Sequence, residues 1–178
     1  MIYDIDIAKQ IAKSLLQINA IILQPNQPFK WAAGWNSPIY CDNRKTLSYP
    51  KIRNHIRQGL AAIVKNHYKG ANVIAGVATA GIPHGALVAE ELGLPFIYVR
   101  SKAKEHGKQN QIEGYFEKGQ SVVLVEDLIS SGKSSLEAAA TLKEAGMKVK
   151  GMVSIFTYGF DAAAENFKNA DCECVSLC

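Results

Sequence analysis

Two acidic residues stand side by side where an apolar segment gives way to small hydroxyl and glycine residues. Glu126 and Asp127 follow the apolar residues 122–125, and residues 128–135 read Leu-Ile-Ser-Ser-Gly-Lys-Ser-Ser. This pattern predicts a buried strand, a Ser/Gly turn and a helix. Ligands of open α/β sheets bind at the carboxyl ends of the strands. The stretch is therefore a candidate binding site.

The acidic pair and the turn after it suit different parts of one ligand, namely sugar hydroxyls and a phosphate. Residues 130–135 offer hydroxyls and main-chain N–H groups at a helix N-terminus, where anions such as phosphate bind. Carboxylates accept hydrogen bonds from sugar hydroxyls, and Mg²⁺ prefers carboxylate and phosphate oxygens. Together these residues predict a site for a phosphorylated sugar, with Mg²⁺ as cofactor.

The stretch allows two other interpretations. Gly132, Lys133 and Ser134 resemble the end of an ATP-binding P-loop, but that motif needs a glycine where Asp127 stands. The second interpretation is a strand end followed by an ordinary helix cap. A cap does not require two adjacent acids, so the sugar-phosphate site is favoured.

Length and composition exclude several classes of protein. The chain has 178 residues, 48% of them hydrophobic and 20% charged, with a net charge of +4. These values indicate one globular domain rather than a disordered chain or a dedicated nucleic-acid binder. The apolar runs are too short to cross a membrane, and no signal peptide is expected, because Asp4 and Asp6 stand where such a peptide has a basic start. Four scattered cysteines indicate a reduced, cytoplasmic protein.

The periodicity of apolar residues predicts an α/β fold. An N-terminal helix is expected from the spacing of Ile7, Ile11, Leu15, Ile18 and Ile22, and a hairpin from residues 29–43 with a turn at 34–38. Strands are then predicted at 73–78, 96–99, 112–116, 122–125, 149–156 and 172–177, and helices at 50–65, 83–92, 134–145 and 162–168. This alternation favours a Rossmann-like parallel sheet flanked by helices.

The acidic stretch closely resembles the phosphoribosyl-pyrophosphate (PRPP) motif of the type I phosphoribosyltransferases. The resemblance implies that Glu126 and Asp127 contact the ribose hydroxyls of PRPP. It further implies that the following segment holds PRPP, chiefly through its 5-phosphate; that segment is Leu128, Ile129, Ser130, Ser131, Gly132, Lys133 and Ser134.

Residues 98–108 resemble the mobile catalytic loop of orotate phosphoribosyltransferases. The resemblance implies that Arg100, Lys104 and His106 meet the pyrophosphate and act in catalysis with Asp127. Cations suit this role because the leaving group is strongly negative. A solvated basic loop is the alternative.

Three positions depart from the patterns of these relatives. Many have a second Lys where Ser101 stands. Residues 75–83 resemble the family's pyrophosphate loop, in which some relatives carry a Lys at the position of Ala80. Residues 29–44 resemble the orotate-specific hood, in which a Lys often replaces Asn36.

The hood resemblance carries the assignment of orotate as the base. No Arg stands near Tyr158, where some relatives bind orotate with one, so Ser130, Tyr40 and main-chain N–H groups are the candidates for this contact. The alternative role for Tyr40 and the hood tryptophans is hairpin packing. A phosphoribosyltransferase for another base, or a non-enzymatic PRPP-sensing regulator that binds nucleic acid, remains open as an alternative function.

The resemblance implies an enzyme that joins orotate to PRPP in pyrimidine biosynthesis, giving orotidine 5′-phosphate and pyrophosphate. It also implies a homodimer whose catalytic loops are shared, with no nucleic-acid or membrane partner. We expect one domain over residues 1–178, with a helix and hood to about residue 45 and a core from about residue 70. The last predicted strand has no covering element after it, so we expect the natural chain to continue.

Overall fold

The computed structural model describes residues 1–31, 36–100 and 111–178. The helices are α1 (Ile5–Gln17), α2 (Pro50–His67), α3 (Gly81–Leu92), α4 (Lys133–Glu144) and α5 (Asp161–Asn169), with a 3₁₀ helix at Asn43–Ser48. The strands are β1 (Ile21–Leu23), β2 (Phe29–Lys30), β3 (Asn36–Ser37), β4 (Ile39–Cys41), β5 (Val73–Val77), β6 (Phe96–Val99), β7 (Ile112–Glu113), β8 (Ser121–Ile129), β9 (Lys148–Thr157) and β10 (Cys174–Ser176). Over these three ranges, no helix is both long and apolar enough to cross a membrane.

The central sheet has the strand order β10-β9-β8-β5-β6-β7. Its strands are parallel except for β7, which pairs antiparallel with β6. All five residues of β5 are buried, as expected for a parallel strand covered by helices on both faces. The α/β prediction is confirmed.

Each face of the sheet has its own apolar cluster. One cluster joins α2 to the sheet through side chains such as Ile56 and Leu60. The other joins α4 and α5 to the opposite face through Leu142 and Phe167. The two layers hold the strands in place, so the residues that follow each strand are carried on a rigid base.

The N-terminal helix is shorter than predicted. Asp4 caps it, because its Oδ1 accepts hydrogen bonds from the N–H groups of Asp6 and Ile7, both at 2.9 Å. The helix ends at Gln17, whereas the apolar spacing extended it to Ile22. Ile22 lies instead in β1, opposite Tyr40 of β4. Antiparallel pairing with a distant segment overrides the helical spacing there.

Two small sheets, β1–β4 and β2–β3, form what we call the hood together with the 3₁₀ helix. The predicted hairpin is confirmed by the pairing of Phe29 with Ser37 and of Lys30 with Asn36. The turn was predicted too late, at residues 34–38. Asn36 and Ser37 are strand residues, so the connection between β2 and β3 precedes Asn36.

Strand β8 extends beyond the predicted end at residue 125. It continues to Ile129 because β9 runs alongside it and pairs Leu128 with Phe156 and Ile129 with Thr157. Glu126 and Asp127 therefore lie within the strand. Their main chain is extended, and it adjoins β9 on one side, because the pairing with β5 ends at Val125.

Candidate active site at the carboxyl edge of the sheet

Four of the five parallel strands, β5, β6, β8 and β9, lead into the candidate site at one edge of the sheet. The segments that follow them are residues 78–80 after β5, Arg100 after β6, residues 130–132 after β8 and residues 158–160 after β9. The sequence predicted functional residues in the first three of these segments. The parallel topology brings them to one edge, which is where ligands of open α/β sheets bind.

Glu126 is the buried member of the acidic pair, with 7% of its surface exposed. Its Oε1 accepts a hydrogen bond from the Asp127 N–H, and its Oε2 accepts one from the Ser135 hydroxyl, both at 2.9 Å. Burial, together with the negative charge of Asp127, raises the pKa of Glu126 well above its usual range. Each carboxylate oxygen retains a second lone pair with which to bind a ligand.

Asp127 is the more exposed member of the pair. Burial raises the pKa of Asp127, and the nearby Arg44 guanidinium opposes that shift. Arg44 itself donates from Nε to Oδ1 of Asp42 at 2.6 Å and from an Nη atom to Oδ2 at 3.0 Å. These hydrogen bonds lower the pKa of Asp42. The hood thus places Arg44, which is already paired with Asp42, near Asp127 at the end of β8.

The turn after β8 is held from outside by α5. The Asn166 side-chain N–H donates to the Ser131 carbonyl at 3.0 Å. Gly132 has a φ of +75°, and the Phe167 ring occupies the space that a Cβ would need. Helix α4 begins at Lys133, so its first N–H groups lie beside this turn, at a position where helix N-termini favour anions.

The residues of the predicted PRPP segment differ in what they can offer a ligand. Ser131, Lys133 and Ser134 are exposed, and Ser130 is partly exposed. Ile129 is 2% exposed and packs in the apolar cluster beneath α4. Leu128 packs against the opposite cluster. The side chains of Leu128 and Ile129 therefore pack against the apolar clusters, and their main chain pairs with β9.

The predicted pyrophosphate loop lies directly beside the acidic pair. At Gly81, the first residue of α3, a Cβ would run into the Val125 carbonyl and would lie 3.3 Å from the Glu126 Cα. Only glycine allows α3 to begin so close to β8. The Ala78–Thr79 peptide of this loop is cis.

Arg100 is the one predicted pyrophosphate ligand within the described residues. Its N–H donates to the Gln111 carbonyl at 2.8 Å, and its Nη1 lies 3.6 Å from Oε1 of Glu113. Arg100 therefore stands at the end of β6, on the edge that carries the acidic pair. Lys104, His106 and Ser101 belong to residues 101–110, which lie outside the described residues.

Comparisons with known proteins agree on one family. The phosphoribosyl transferase domain family matches residues 46–178. The orotate phosphoribosyltransferase of Cytophaga hutchinsonii is 60% identical over 162 residues, which cover 91% of this chain and 78% of that protein. That of Bacillus subtilis is 58% identical over 172 residues, covering 96% and 80% respectively.

The chain belongs to the orotate phosphoribosyltransferase family. A crystal structure of the family member from Aeropyrum pernix superposes with a TM-score of 0.82 at 27% identity, covering 94% of this chain and 93% of that one. The family predicted from the sequence is thereby confirmed.

An aromatic cluster joins the hood to the end of β9. The Trp31 ring lies 4.6 Å from that of Tyr158, which stacks on Phe160 at 5.5 Å. Tyr40 lies 5.4 Å from Phe29 and is 40% exposed. Burial raises the pKa of Tyr158 to about 12, so the phenol stays neutral and forms an uncharged wall.

The sequence interpretation did not identify several residues that shape this site. Asn43 contacts Asp127 through a side-chain hydrogen bond to the Asp127 carbonyl, and Asn166 contacts Ser131. Ser135 belongs to the predicted anion-binding turn, but its hydroxyl donates to Glu126. The alternating aromatic residues 156, 158 and 160 were a signal for the aromatic cluster. The contacts of Asn43 and Asn166 span 84 and 35 residues, and no local pattern predicts them.

Proposed function

We propose that this chain transfers the phosphoribosyl group of PRPP to orotate, giving orotidine 5′-phosphate and pyrophosphate in pyrimidine biosynthesis. The observation that carries the proposal is the end of β8. There, two adjacent carboxylates are followed by a hydroxyl-rich turn and a helix N-terminus. Carboxylates suit ribose hydroxyls, and the turn suits a phosphate. The choice of orotate as the base rests on the relatives, which are orotate phosphoribosyltransferases.

Asp127 binds the ribose hydroxyls most directly, because its side chain is the more exposed of the two acids. Glu126 lies beneath it and uses one lone pair of each oxygen within the protein. The turn residues Ser130, Ser131, Gly132, Lys133 and Ser134 bind the 5-phosphate. Leu128 and Ile129 contribute through their main chain.

Mg²⁺ fits the chemistry of this donor set as a cofactor held mainly by the substrate. Within the described ranges, no group of three or more His, Cys, Asp and Glu side chains converges to hold a metal. Asp127 supplies the partly exposed carboxylate, and PRPP supplies the phosphate oxygens that Mg²⁺ prefers. When bound, the ion neutralises negative charge on the pyrophosphate.

The reaction breaks the bond between the anomeric carbon and pyrophosphate while a ring nitrogen of orotate bonds to that carbon. Arg100, Lys104 and His106 stabilise the charge on the leaving pyrophosphate, and His106 can donate a proton to it. The rest of the catalytic effect is positioning of the two substrates. The position of Arg100 at the end of β6 supports its part in this proposal.

Orotate lies between the turn after β8 and the hood, with Ser130 and Tyr40 among its contacts. Two observations support this placement. The Tyr158 N–H donates to the Ile129 carbonyl at 3.1 Å, so the aromatic segment adjoins Ser130. The aromatic cluster also supplies the flat apolar walls that a planar base requires.

The test is an assay of the loss of orotate absorbance in the presence of PRPP and Mg²⁺. Orotate should be consumed with equimolar release of pyrophosphate, while uracil, hypoxanthine and adenine remain unchanged. Turnover of another base instead of orotate would show that the substrate is misassigned. Binding of PRPP without turnover of any base would favour the regulator that senses PRPP without catalysis.

We further propose a cytoplasmic homodimer in which each catalytic loop completes the site of the partner subunit. Two-fold pairing is the commonest form of oligomer. The test refolds Lys104→Ala and Asp127→Asn together, because a mixed dimer then has one site with no defect. Random pairing should restore about one quarter of wild-type activity. Activity at the level of the separate variants would show that each loop serves its own subunit.

A further inference from the structure

We propose that Asn43 of the hood is a positioning residue for the ribose site. Its side-chain amide holds the main chain at Asp127 and thereby aims the Asp127 carboxylate at the ribose. The inference rests on the proposed function, since it concerns the binding of PRPP. It assigns a role in the reaction to a side chain outside the PRPP motif.

Asn43 is fully buried at the start of the 3₁₀ helix. Its Nδ2 donates to the Asp127 carbonyl at 2.6 Å, and its Oδ1 accepts from the Cys41 thiol at 3.3 Å. Its own carbonyl accepts from the Thr46 hydroxyl at 2.6 Å. Both ends of the amide are therefore occupied, and its orientation is fixed.

Asp127 needs this contact because β8 extends beyond the end of its neighbour β5. The two strands pair from Val73 opposite Val122 to Gly76 opposite Val125, and β8 continues to Ile129. At Asp127, the N–H donates to the Glu126 carboxylate and the carbonyl accepts from Asn43. Two side chains thus replace the strand pairing on that side. Buried carbonyl groups require such a partner.

The residues on either side of Asn43 act on Asp127 through charge. Arg44 lowers the pKa of Asp127 and Asp42 raises it, although burial is the largest influence on that carboxyl. Residues 42–44 therefore act on Asp127 in two ways. Asn43 contacts its main chain, and the charges of Asp42 and Arg44 shift the pKa of its carboxyl. Because β4 ends at Cys41, just before this turn, Asn43 ties the hood to the ribose site.

The test compares Asn43→Ser, whose side chain is too short to reach the Asp127 carbonyl, with Thr46→Val. Thr46 is buried in the same 3₁₀ helix, and valine keeps its shape while removing its hydrogen bond. We expect both variants to lower the Tm. Only Asn43→Ser should weaken PRPP binding, by about tenfold in Kd and in the KM for PRPP, with a smaller change in kcat. Equal PRPP affinities in the two variants would overturn the proposal.

A second variant keeps the proposal testable if Asn43→Ser does not fold. Cys41→Ala leaves the Asn43 amide in place but removes the thiol that fixes its Oδ1. PRPP binding should then weaken by about twofold to threefold, because sulfur forms weaker hydrogen bonds than oxygen. Unchanged binding in Cys41→Ala, with Asn43→Ser unfolded, would count against the proposal.

A double-mutant cycle separates positioning from general loosening of the fold. If Asn43 acts through Asp127, adding Asn43→Ser to Asp127→Asn should weaken PRPP binding by less than about twofold further. Additive losses would contradict the proposal. Orotate turnover by the wild type tests the proposed function separately. A wild type that binds PRPP without consuming orotate would refute that function while the Asn43 effect on PRPP could still be measured.

Discussion

The two ends of the central sheet both contain buried polar groups, but they treat them differently. At the carboxyl edge, Glu126 and Asp127 are neighbouring acids, and burial raises the pKa of both. At the amino end, the Tyr68 hydroxyl lies 3.2 Å from the carbonyls of Met152 and Glu173. His67 lies 2.9 Å from the Glu173 carboxylate.

This difference between the two ends indicates that one end of the sheet serves binding and the other serves stability. The amino end pairs donors with acceptors, so its polar groups support the fold. The carboxyl edge holds two neighbouring acids, which lowers stability, but carboxylates suit the hydroxyls of the proposed substrate. Substitutions of polar groups at the carboxyl edge should therefore lower activity more than stability. Those at the amino end should change stability and leave activity unchanged.

The largest effect is expected for Asp127→Asn at the carboxyl edge. The variant keeps the size of the side chain but loses a charged acceptor for the ribose hydroxyls. The loss of about 1.5–3 kcal/mol corresponds to PRPP affinity that is about 10- to 150-fold weaker. Titration calorimetry measures it, and thermal unfolding should show no loss of Tm. Unchanged PRPP affinity would show that Asp127 does not bind the ribose.

Matched glycine substitutions at the two ends sharpen the comparison. Gly132 and Gly151 both have positive φ, and a Cβ at either position would run into an aromatic ring, that of Phe167 or Tyr68 respectively. Gly132→Ala and Gly151→Ala should each lower the free energy of unfolding by about 1–3 kcal/mol.

Only Gly132→Ala should also raise the KM for PRPP, because it alone displaces the turn proposed to hold the 5-phosphate. Steady-state kinetics below the Tm of both variants gives the readout. A raised KM for PRPP in Gly151→Ala of the same size would remove the distinction between the two ends.

A smaller effect, in the stabilising direction, is expected for Glu126→Gln. Gln can accept from the Asp127 N–H and donate to the Ser135 hydroxyl without ionising. The pKa of Glu126 is higher in the folded chain than in the unfolded chain. Wild-type stability from this group therefore falls as pH rises from the unfolded value of about 4.3 through the folded value.

The Tm of Glu126→Gln should therefore exceed that of the wild type increasingly as pH rises. A difference of about 1 kcal/mol at neutral pH corresponds to about 2–4 °C for a chain of this length. Differential scanning calorimetry between pH 4 and 8 measures it. A variant less stable than the wild type throughout that range would contradict the account of the carboxyl edge.

The smallest effect is expected for His67→Gln at the amino end. The His67 and Glu173 side chains are 34% and 47% exposed, and pairs this exposed contribute at most about 1 kcal/mol. Urea unfolding should show a change within that limit, and the KM for PRPP should be unchanged. A raised KM for PRPP in this variant would show that the amino end also takes part in PRPP binding, which the account excludes.

The carboxyl edge was largely predictable from sequence because its signals are local. The apolar run before Glu126 predicts a strand, and the Ser and Gly residues after it predict a turn and a helix. The extension of β8 to Ile129 was not predictable, because it depends on pairing with β9. Likewise, the burial of Glu126 follows from the position of α4, which supplies Ser135.

The hood was less predictable because its strands are short and pair over long distances. Ile21 and Ile22 continue the spacing of α1, yet they pair with Cys41 and Tyr40. The contact between Asn43 and Asp127 depends on how the hood lies on the sheet. Such contacts are decided by tertiary packing, which overrides local propensity in short segments.

Hydrogen exchange with and without PRPP and Mg²⁺ tests most directly whether the two ends of the sheet differ in function. We predict slower exchange on binding at residues 78–82 and 126–134, which contain the proposed pyrophosphate, ribose and 5-phosphate sites. Residues 67–72, 148–152 and 172–176 at the amino end should be unchanged. Protection confined to the amino end, or no protection at 126–134, would contradict the assignment of the carboxyl edge as the PRPP site.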